Sequence, residues 1–153
     1  CFLNKRLNRG NDGGNTRRTT DAFQLATAVL FQNPIQNFAL APNNLTDAPQ
    51  VCIDFMKAIP TEWDETCFID GYPGKYVVLA RRYGDCWYVA AVNATEEPLK
   101  LKLNLSMFAG KTVYFYNDDK KLQPQLQQYD IKKDGKFQWV IQPRGGGVLK
   151  NIQ

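Results

Sequence analysis

Two hydrophobic patterns divide this chain, and the change between them falls at Pro60. Upstream of Pro60 the apolar residues recur at helical spacing, and downstream they recur at strand spacing. The segment 60–66, Pro-Thr-Glu-Trp-Asp-Glu-Thr, therefore lies at a predicted boundary between a helical part and a β part.

The first predicted helix covers residues 22–31 and is apolar nearly all the way round. Residues 19–21 can supply its N-cap, and Gln24 stands where a capping box needs it. A helix of this kind must be covered on several sides, and it is too short to cross a membrane. The pattern therefore predicts that this helix packs into a large neighbouring core. The preceding residues 1–18 are polar and glycine-rich and are predicted to form a loop.

A short strand is predicted at 35–40, and a second helix at Thr46 or Asp47 with Pro49 in its first turn. This helix has a single apolar stripe, formed by Val51, Cys52, Phe55, Met56 and Ile59. Helix, short strand and amphipathic helix follow one another in the same order in the repeat of an α/β barrel. One repeat cannot close a barrel by itself.

Short strands separated by turn signals follow Pro60, as is typical of an antiparallel sandwich. They are predicted around Phe68 and Ile69 and then at 75–82, 86–92, 99–105, 111–116, 125–133, 136–142 and 148–150. Asp134-Gly135 predicts that the strands on either side of it form a hairpin, and the glycines 145–147 are predicted to bend the chain into the last strand. The predicted fold is mainly β, a C-terminal antiparallel β-sandwich preceded by two helices.

Composition and charge narrow the possible functions. The net charge of +4 comes from scattered basic doublets such as Arg17-Arg18 and Lys132-Lys133, which favours solvated surface over a nucleic-acid site. No apolar run approaches the ~20 residues of a membrane helix. We therefore expect neither a nucleic acid nor a membrane as partner.

The four cysteines lack Cys-x-x-Cys spacing, and the chain has no histidine. A zinc site and every triad based on imidazole are therefore unlikely candidates for its chemistry. A disulfide between Cys67 and Cys86 is possible from their predicted strands, but unpaired buried thiols are the favoured prediction.

Three acids, Glu62, Asp64 and Glu65, lie close together at the boundary segment. Two carboxylates can cleave a glycosidic bond, but they must approach it from opposite sides. Neighbours on one short linker cannot do so. We therefore predict that these acids cap a turn and pair with a nearby base, Lys57, Lys75 or Arg81.

The boundary segment is also where the chain resembles a known family. Residues 60–66 together with Asp70-Gly71, Gly-Lys-Tyr-Val-Val-Leu-Ala-Arg-Arg at 74–82, Gly84-Asp85 and Trp-Tyr-Val at 87–89 look like the C-terminal part of glycoside hydrolase family 97. The segments 22–31 and 34–39 are similar to the last repeat of that family's catalytic barrel.

The resemblance implies a parent enzyme that is a calcium-dependent, exo-acting α-glucosidase or α-galactosidase of the bacterial periplasm. It implies that residues 1–59 are the C-terminal end of a catalytic (β/α)8 barrel and that 60–153 form a non-catalytic β-sandwich domain. Catalytic residues and calcium ligands would lie upstream, so none is assigned here and the 153 residues alone are predicted to be inactive. The implied partners are the upstream barrel of the same chain, a second copy in a homodimer, and the oligosaccharide substrate of the parent enzyme.

Within this scheme Pro60, Trp63, Asp64 and Glu65 are predicted to form the structural junction of the two domains. Pro60 would end the helix, and Trp63 would wedge between the layers. The alternative function is a carbohydrate-binding module, suggested by Trp63, Trp87 and Trp139. Because Trp87 and Trp139 lie in strands rich in apolar residues, they are predicted to be core.

Overall fold

The computed structural model describes residues 6–7, 15–31, 33–40, 42 and 44–152. The helices are α1 (Asp21–Leu30), α2 (Asn44–Asp47) and α3 (Gln50–Ala58). The strands are β1 (Arg6–Leu7), β2 (Asn15–Thr16), β3 (Glu65–Tyr72), β4 (Tyr76–Tyr83), β5 (Cys86–Asn93), β6 (Leu99–Asn104), β7 (Thr112–Asp118), β8 (Pro124–Asp130), β9 (Lys136–Ile141) and β10 (Gly146–Asn151). None of the described helices is long and apolar enough to cross a membrane.

Antiparallel sheets dominate the fold, as the strand patterns predict. The large sheet has six strands in the order β3-β4-β5-β10-β7-β8, and a second sheet pairs β6 with β9. The central strands of the large sheet are buried on both faces, and its edge strands β3 and β8 are largely exposed. One face packs on the β6–β9 sheet and the other on the helices, which gives two separate hydrophobic cores. The prediction of a mainly β sandwich with two principal helices is confirmed.

The first core lies between the helices and the large sheet. Thr20 caps α1 by accepting a hydrogen bond from the amide of Phe23 at 3.0 Å. The apolar residues on all sides of α1 are buried or partly buried, because β5 and β10 pack on one side of the helix and α3 packs on another. The chain's own sheet therefore supplies the large neighbouring core that the sequence predicts for this helix.

Of the glycines at 145–147, Gly145 closes the turn that leads into the last strand, as predicted, and the other two have a different role. Gly146 and Gly147 lie within β10, beneath α1. A Cβ atom on Gly146 would stand 2.8 Å from the Cα of Phe23 and 2.8 Å from the carbonyl oxygen of Ala91. The missing side chain therefore lets the helix backbone approach the strand closely.

The second core lies between the two sheets and is built on aromatic contacts. Phe115, Phe137 and Trp139 meet edge to face, with ring centroids 5.4 to 5.8 Å apart. Trp139 is 1% exposed, which confirms the prediction that it is core. Such pairs add about 1 kcal/mol each beyond their buried area, so this cluster holds the β6–β9 sheet to the large sheet.

Two predicted elements upstream of Pro60 are wrong in detail. Residues 35–40 form no strand, and Phe38 and Leu40 instead pack singly against the first core. The second long helix begins at Gln50 with Pro49 as its N-cap, after the separate short turn of α2. The predicted loop at 1–18 lies mostly outside the described residues, but its parts β1 and β2 pair antiparallel.

The predicted hairpin at Asp134-Gly135 is also wrong. β8 pairs with β7 at the edge of the large sheet, whereas β9 pairs with β6 in the other sheet. The connection between them crosses from one layer to the other, with the buried Ile131 inside it. A tight turn does form there, because the amide of Gly135 donates to the carbonyl of Lys132 at 2.9 Å, but it joins strands of different sheets.

Candidate functional site at the helix–sheet junction

The junction segment connects α3 to β3. The amide of Ile59 donates to Phe55 at 3.0 Å and closes the helix, and Pro60 follows directly. Glu65 is the first residue of β3. Pro60 thus stands where the helix ends, as the sequence predicts, while the proposed docking role of the segment stays a prediction.

Trp63 lies over the helix-facing side of the large sheet and packs on the first core. Its ring meets Tyr88 edge to face at 5.1 Å, and the guanidinium carbon of Arg81 lies 5.5 Å from its centroid. The indole Nε1 is buried, and the described residues offer it no hydrogen-bond acceptor. Trp63 therefore joins the linker to β4 and β5.

Asp64 and Glu65 bind Arg82, which corrects the predicted partners Lys57, Lys75 and Arg81. Glu65 Oε2 lies 3.2 Å from Arg82 Nε, and Asp64 Oδ2 lies 3.6 Å from Arg82 Nη1. Asp64 Oδ2 also accepts from the amide of Gly84 at 2.7 Å, in the turn between β4 and β5. Asp64 therefore caps a turn, and both Asp64 and Glu65 pair with a base, as predicted, whereas no ion pair of Glu62 is found among the described residues.

Arg81 behaves differently from Arg82 although the two are adjacent. Its side chain points to the helix-facing side of the sheet, is 2% exposed, and donates from Nη1 to the carbonyl of Phe31 at 3.1 Å. Burial lowers the pKa of this guanidinium. Among the described residues no acidic side chain forms an ion pair with it.

This arrangement does not resemble a hydrolytic centre. Asp64 and Glu65 approach the same arginine from one side, whereas glycoside cleavage needs two carboxyl groups across a cleft. The nearby Cys67 thiol donates to Glu65 at 3.4 Å, and this bond together with burial and the Glu65 charge raises its pKa. A thiol held protonated is a poor nucleophile.

The cysteines and the metal-binding side chains are the remaining groups that could carry chemistry. Cys67 and Cys86 do not form a disulfide with each other, in agreement with the favoured prediction, although only Cys86 is fully buried. The two residues contact opposite cores across the large sheet. Within the described part of the chain no group of three or more metal-binding side chains comes together. That the calcium ligands of the parent enzyme lie upstream of this chain stays a prediction.

The tryptophans do not form a sugar-binding platform on one sheet. Trp139 is buried in the second core, Trp87 packs against that core, and Trp63 carries Arg81 on its ring. The exposed Tyr72 and Tyr83 stand at opposite ends of the β3–β4 pair. Stacked sugar recognition needs flat aromatic faces that are open to solvent, so this geometry does not favour a carbohydrate-binding module.

Asn93 is a structural residue that the sequence patterns did not reveal. It is fully buried at the end of β5, and its amide nitrogen donates to the carbonyls of Glu97 at 2.8 Å and Gln142 at 3.2 Å. Its oxygen accepts from the amide of Thr95 at 2.9 Å. An asparagine followed two residues later by threonine at a strand end is the signal that could have indicated this turn.

The two packed sheets, with helices on the outer face of the larger one, define a β-sandwich region. The sequence profile described as "Glycosyl-hydrolase 97 C-terminal, oligomerisation" matches residues 62–151. The chain therefore belongs to glycoside hydrolase family 97 and contains its C-terminal region.

Two proteins that carry the name α-galactosidase are similar to the chain. A retaining α-galactosidase of Bacteroides thetaiotaomicron is 32% identical over 134 residues, which are 83% of this chain and 20% of that protein. A probable retaining α-galactosidase of Streptomyces bingchenggensis is 36% identical over 87 residues, 54% of this chain and 14% of that protein.

Solved structures agree with the fold. The crystal structure of a β-arabinopyranosidase is 70% identical, with a TM-score of 0.94, over 99% of this chain and 24% of that chain. A family 97 enzyme from Pseudoalteromonas sp. strain K8, in complex with acarbose, is 24% identical with a TM-score of 0.79. The chain thus spans about a quarter or less of the length of these relatives.

Proposed function

We propose that these residues are the C-terminal, non-catalytic part of a longer exo-acting glycoside hydrolase and that they support its catalytic barrel. The observation that carries the proposal is the match of 99% of this chain to 24% of the β-arabinopyranosidase chain at a TM-score of 0.94. The remaining three quarters of such a protein would hold the barrel, its acid and base, and the calcium site.

Exposed apolar residues support attachment to a barrel. Phe31 is 64% exposed at the end of α1, and Ile35 is 78% exposed in the segment that follows. Both belong to the part of the chain, residues 1–59, that we assign to the end of the barrel. Large apolar side chains in neighbouring positions are typical of a surface that another part of the protein covers.

The substrate that we propose is an α-galactoside. Two relatives carry the name α-galactosidase, and the β-arabinopyranosidase is the relative of highest identity among those described above. A β-L-arabinopyranoside has the ring configuration of an α-D-galactoside without the exocyclic CH2OH group. An α-glucoside differs at the 4-hydroxyl, and a site that hydrogen-bonds a hydroxyl discriminates strongly against the wrong arrangement.

Hydrolysis assays on the longer protein test this substrate. We expect p-nitrophenyl α-galactoside and p-nitrophenyl β-L-arabinopyranoside to be cleaved with kcat/KM at least about tenfold above that of the α-glucoside. A preference for the α-glucoside would contradict the substrate assignment.

Calcium dependence and location are tested separately on the longer protein. Chelation should abolish turnover and added calcium should restore it. Cell fractionation should find the protein in the periplasm.

We further propose that the longer protein is a homodimer, because the profile of this region is described as an oligomerisation domain. Light scattering on the longer protein should give twice the mass of one chain at micromolar concentration. A monomer at that concentration would contradict the dimer and leave the enzymatic proposal unaffected.

A further inference from the structure

A polar groove opens between the segment at 33–34 and the junction segment. Its volume is about 420 Å³, which suits a ligand of monosaccharide size, and Thr61, Trp63, Thr66 and Arg81 form part of its lining. Thr66 and Arg81 are paired neighbours on β3 and β4, so the groove floor rests on the large sheet.

Two side chains of the groove lining each carry a buried hydrogen-bond donor without an acceptor among the described residues. Arg81 Nε and Trp63 Nε1 are both buried, and the described residues supply no partner to either. An unsatisfied buried donor costs about 1–3 kcal/mol, and more when the group is charged. Two such donors on neighbouring side chains of one groove indicate an acceptor that is supplied from outside the described residues.

The charge of Arg81 identifies the kind of acceptor. Arg82, one residue along, has Asp64 and Glu65 as counter-charges, whereas the buried Arg81 has none among the residues described. A neutral acceptor would satisfy the donors and leave the guanidinium charge with only the Phe31 carbonyl and the Trp63 ring to stabilise it in a low-dielectric site. A carboxylate satisfies both, since guanidinium and carboxylate form matched pairs of hydrogen bonds.

We propose that this groove binds a carboxylate, whose oxygens accept hydrogen bonds from the guanidinium of Arg81 and the indole N–H of Trp63. The exposed Glu62 at its rim disfavours a doubly charged group such as phosphate. The carboxylate has two possible sources, a free sugar acid or the side chain of an aspartate or glutamate elsewhere in the longer protein. Binding to the groove does not depend on the proposed enzymatic function.

Indole N–H signals in a ¹H–¹⁵N spectrum of the 153-residue chain give a direct test. The chain has three tryptophans, and Trp63→Phe assigns the signal of Trp63. We expect sodium galacturonate or acetate, at constant ionic strength, to move this signal downfield in a saturable way. Trp139 is an internal control, because its Nε1 is also buried and unpaired but lies in the second core.

Variants test whether the shift of the Trp63 indole signal depends on Arg81. Arg81→Gln should weaken galacturonate binding at least about tenfold, and Arg81→Lys, which keeps the charge and loses the planar fork, serves if the first variant does not fold. Arg82→Gln is the matched control, because Arg82 binds its own acids, and it should leave the affinity unchanged.

The same spectrum of the longer protein distinguishes the two sources. If a side chain fills the groove, the Trp63 signal already stands at the downfield position and free acetate does not move it. If the ligand is free, the signal moves in both proteins. The proposal is overturned if neutral galactose moves the signal as much as galacturonate does, or if the signal is unmoved in the short chain and not downfield in the longer protein.

Discussion

Asp118 is a buried carboxylate at the end of β7. Its Oδ2 accepts from the hydroxyl of Thr20 at 2.7 Å and from the amide of Gly146 at 3.3 Å, so it ties the cap of α1 to β7 and β10. Burial raises the pKa of Asp118, the charge of Asp21 adds to this, and the hydrogen bonds oppose it. Its other oxygen has no partner among the described residues.

This raised pKa predicts a pH-dependent stability. The folded state holds the Asp118 proton more tightly than the unfolded state. Protonated Asp118 therefore contributes its full stabilisation to the folded state below about pH 3.9, and this stabilisation is lost as the pH rises through the folded pKa. Asp118→Asn removes the effect, and its unfolding free energy should therefore gain on the wild type as the pH rises from about 4 to 7. Urea unfolding across this range measures the difference, with the exposed Asp85→Asn as control. Parallel curves for Asp118→Asn and wild type would contradict the prediction.

Residue-level roles could be predicted only where spacing decides them. Ion pairs were correctly predicted for Asp64 and Glu65 at the junction, and no described ion pair includes Glu62. That none of the three acids takes part in catalysis stays a prediction. The shared partner of Asp64 and Glu65, Arg82, could not be predicted, since its choice over Arg81 depends on which face of the sheet each arginine occupies. The buried amide of Asn93 depends on contacts with carbonyls nearly 50 residues away, at 141 and 142.

At the scale of elements, periodicity predicted most strands and failed on their pairing. The strand at 99–105 was predicted from its alternating leucines, and β6 covers nearly all of it. The hairpin at Asp134-Gly135 was wrong, because a turn signal gives no information on the sheet to which each strand belongs. Phe137, Trp139 and Ile141 face the second core, and their burial requires β9 to cross into the other layer.

The crossover turn makes its own prediction. Gly135 has φ +69, and an added Cβ would stand 2.9 Å from Asn104 Oδ1 and 3.3 Å from the backbone of Leu105. Gly84 has φ +56 with open space around it. Gly84→Ala should cost about 1 kcal/mol for backbone conformation alone, and Gly135→Ala about 2–3 kcal/mol because crowding adds to it. Chemical denaturation measures both variants, and equal costs would show that the tight contact is relieved without strain.

At the scale of the whole molecule, the two helices pack directly on the large sheet and share the first core with it, rather than meeting the sandwich at a small interface. The sequence predicted a change of periodicity at Pro60, and the structure places a linker there whose Trp63 packs across the sheet. Cover for α1 by the chain's own sheet could not be predicted, because it depends on the glycines of β10 and the close approach that they permit. Family membership is the property that the local sequence identified most directly, through the segment that begins at 60.

The central proposal is that this chain is the C-terminal part of a glycoside hydrolase whose catalytic residues lie elsewhere in the longer protein. Hydrolysis of p-nitrophenyl α-galactoside by the longer protein and by the folded 153-residue chain, at equal molar concentration, tests it most directly. We predict turnover by the longer protein and release of p-nitrophenol at the buffer rate by the 153 residues alone. Turnover by the 153-residue chain that persists through purification would contradict the account.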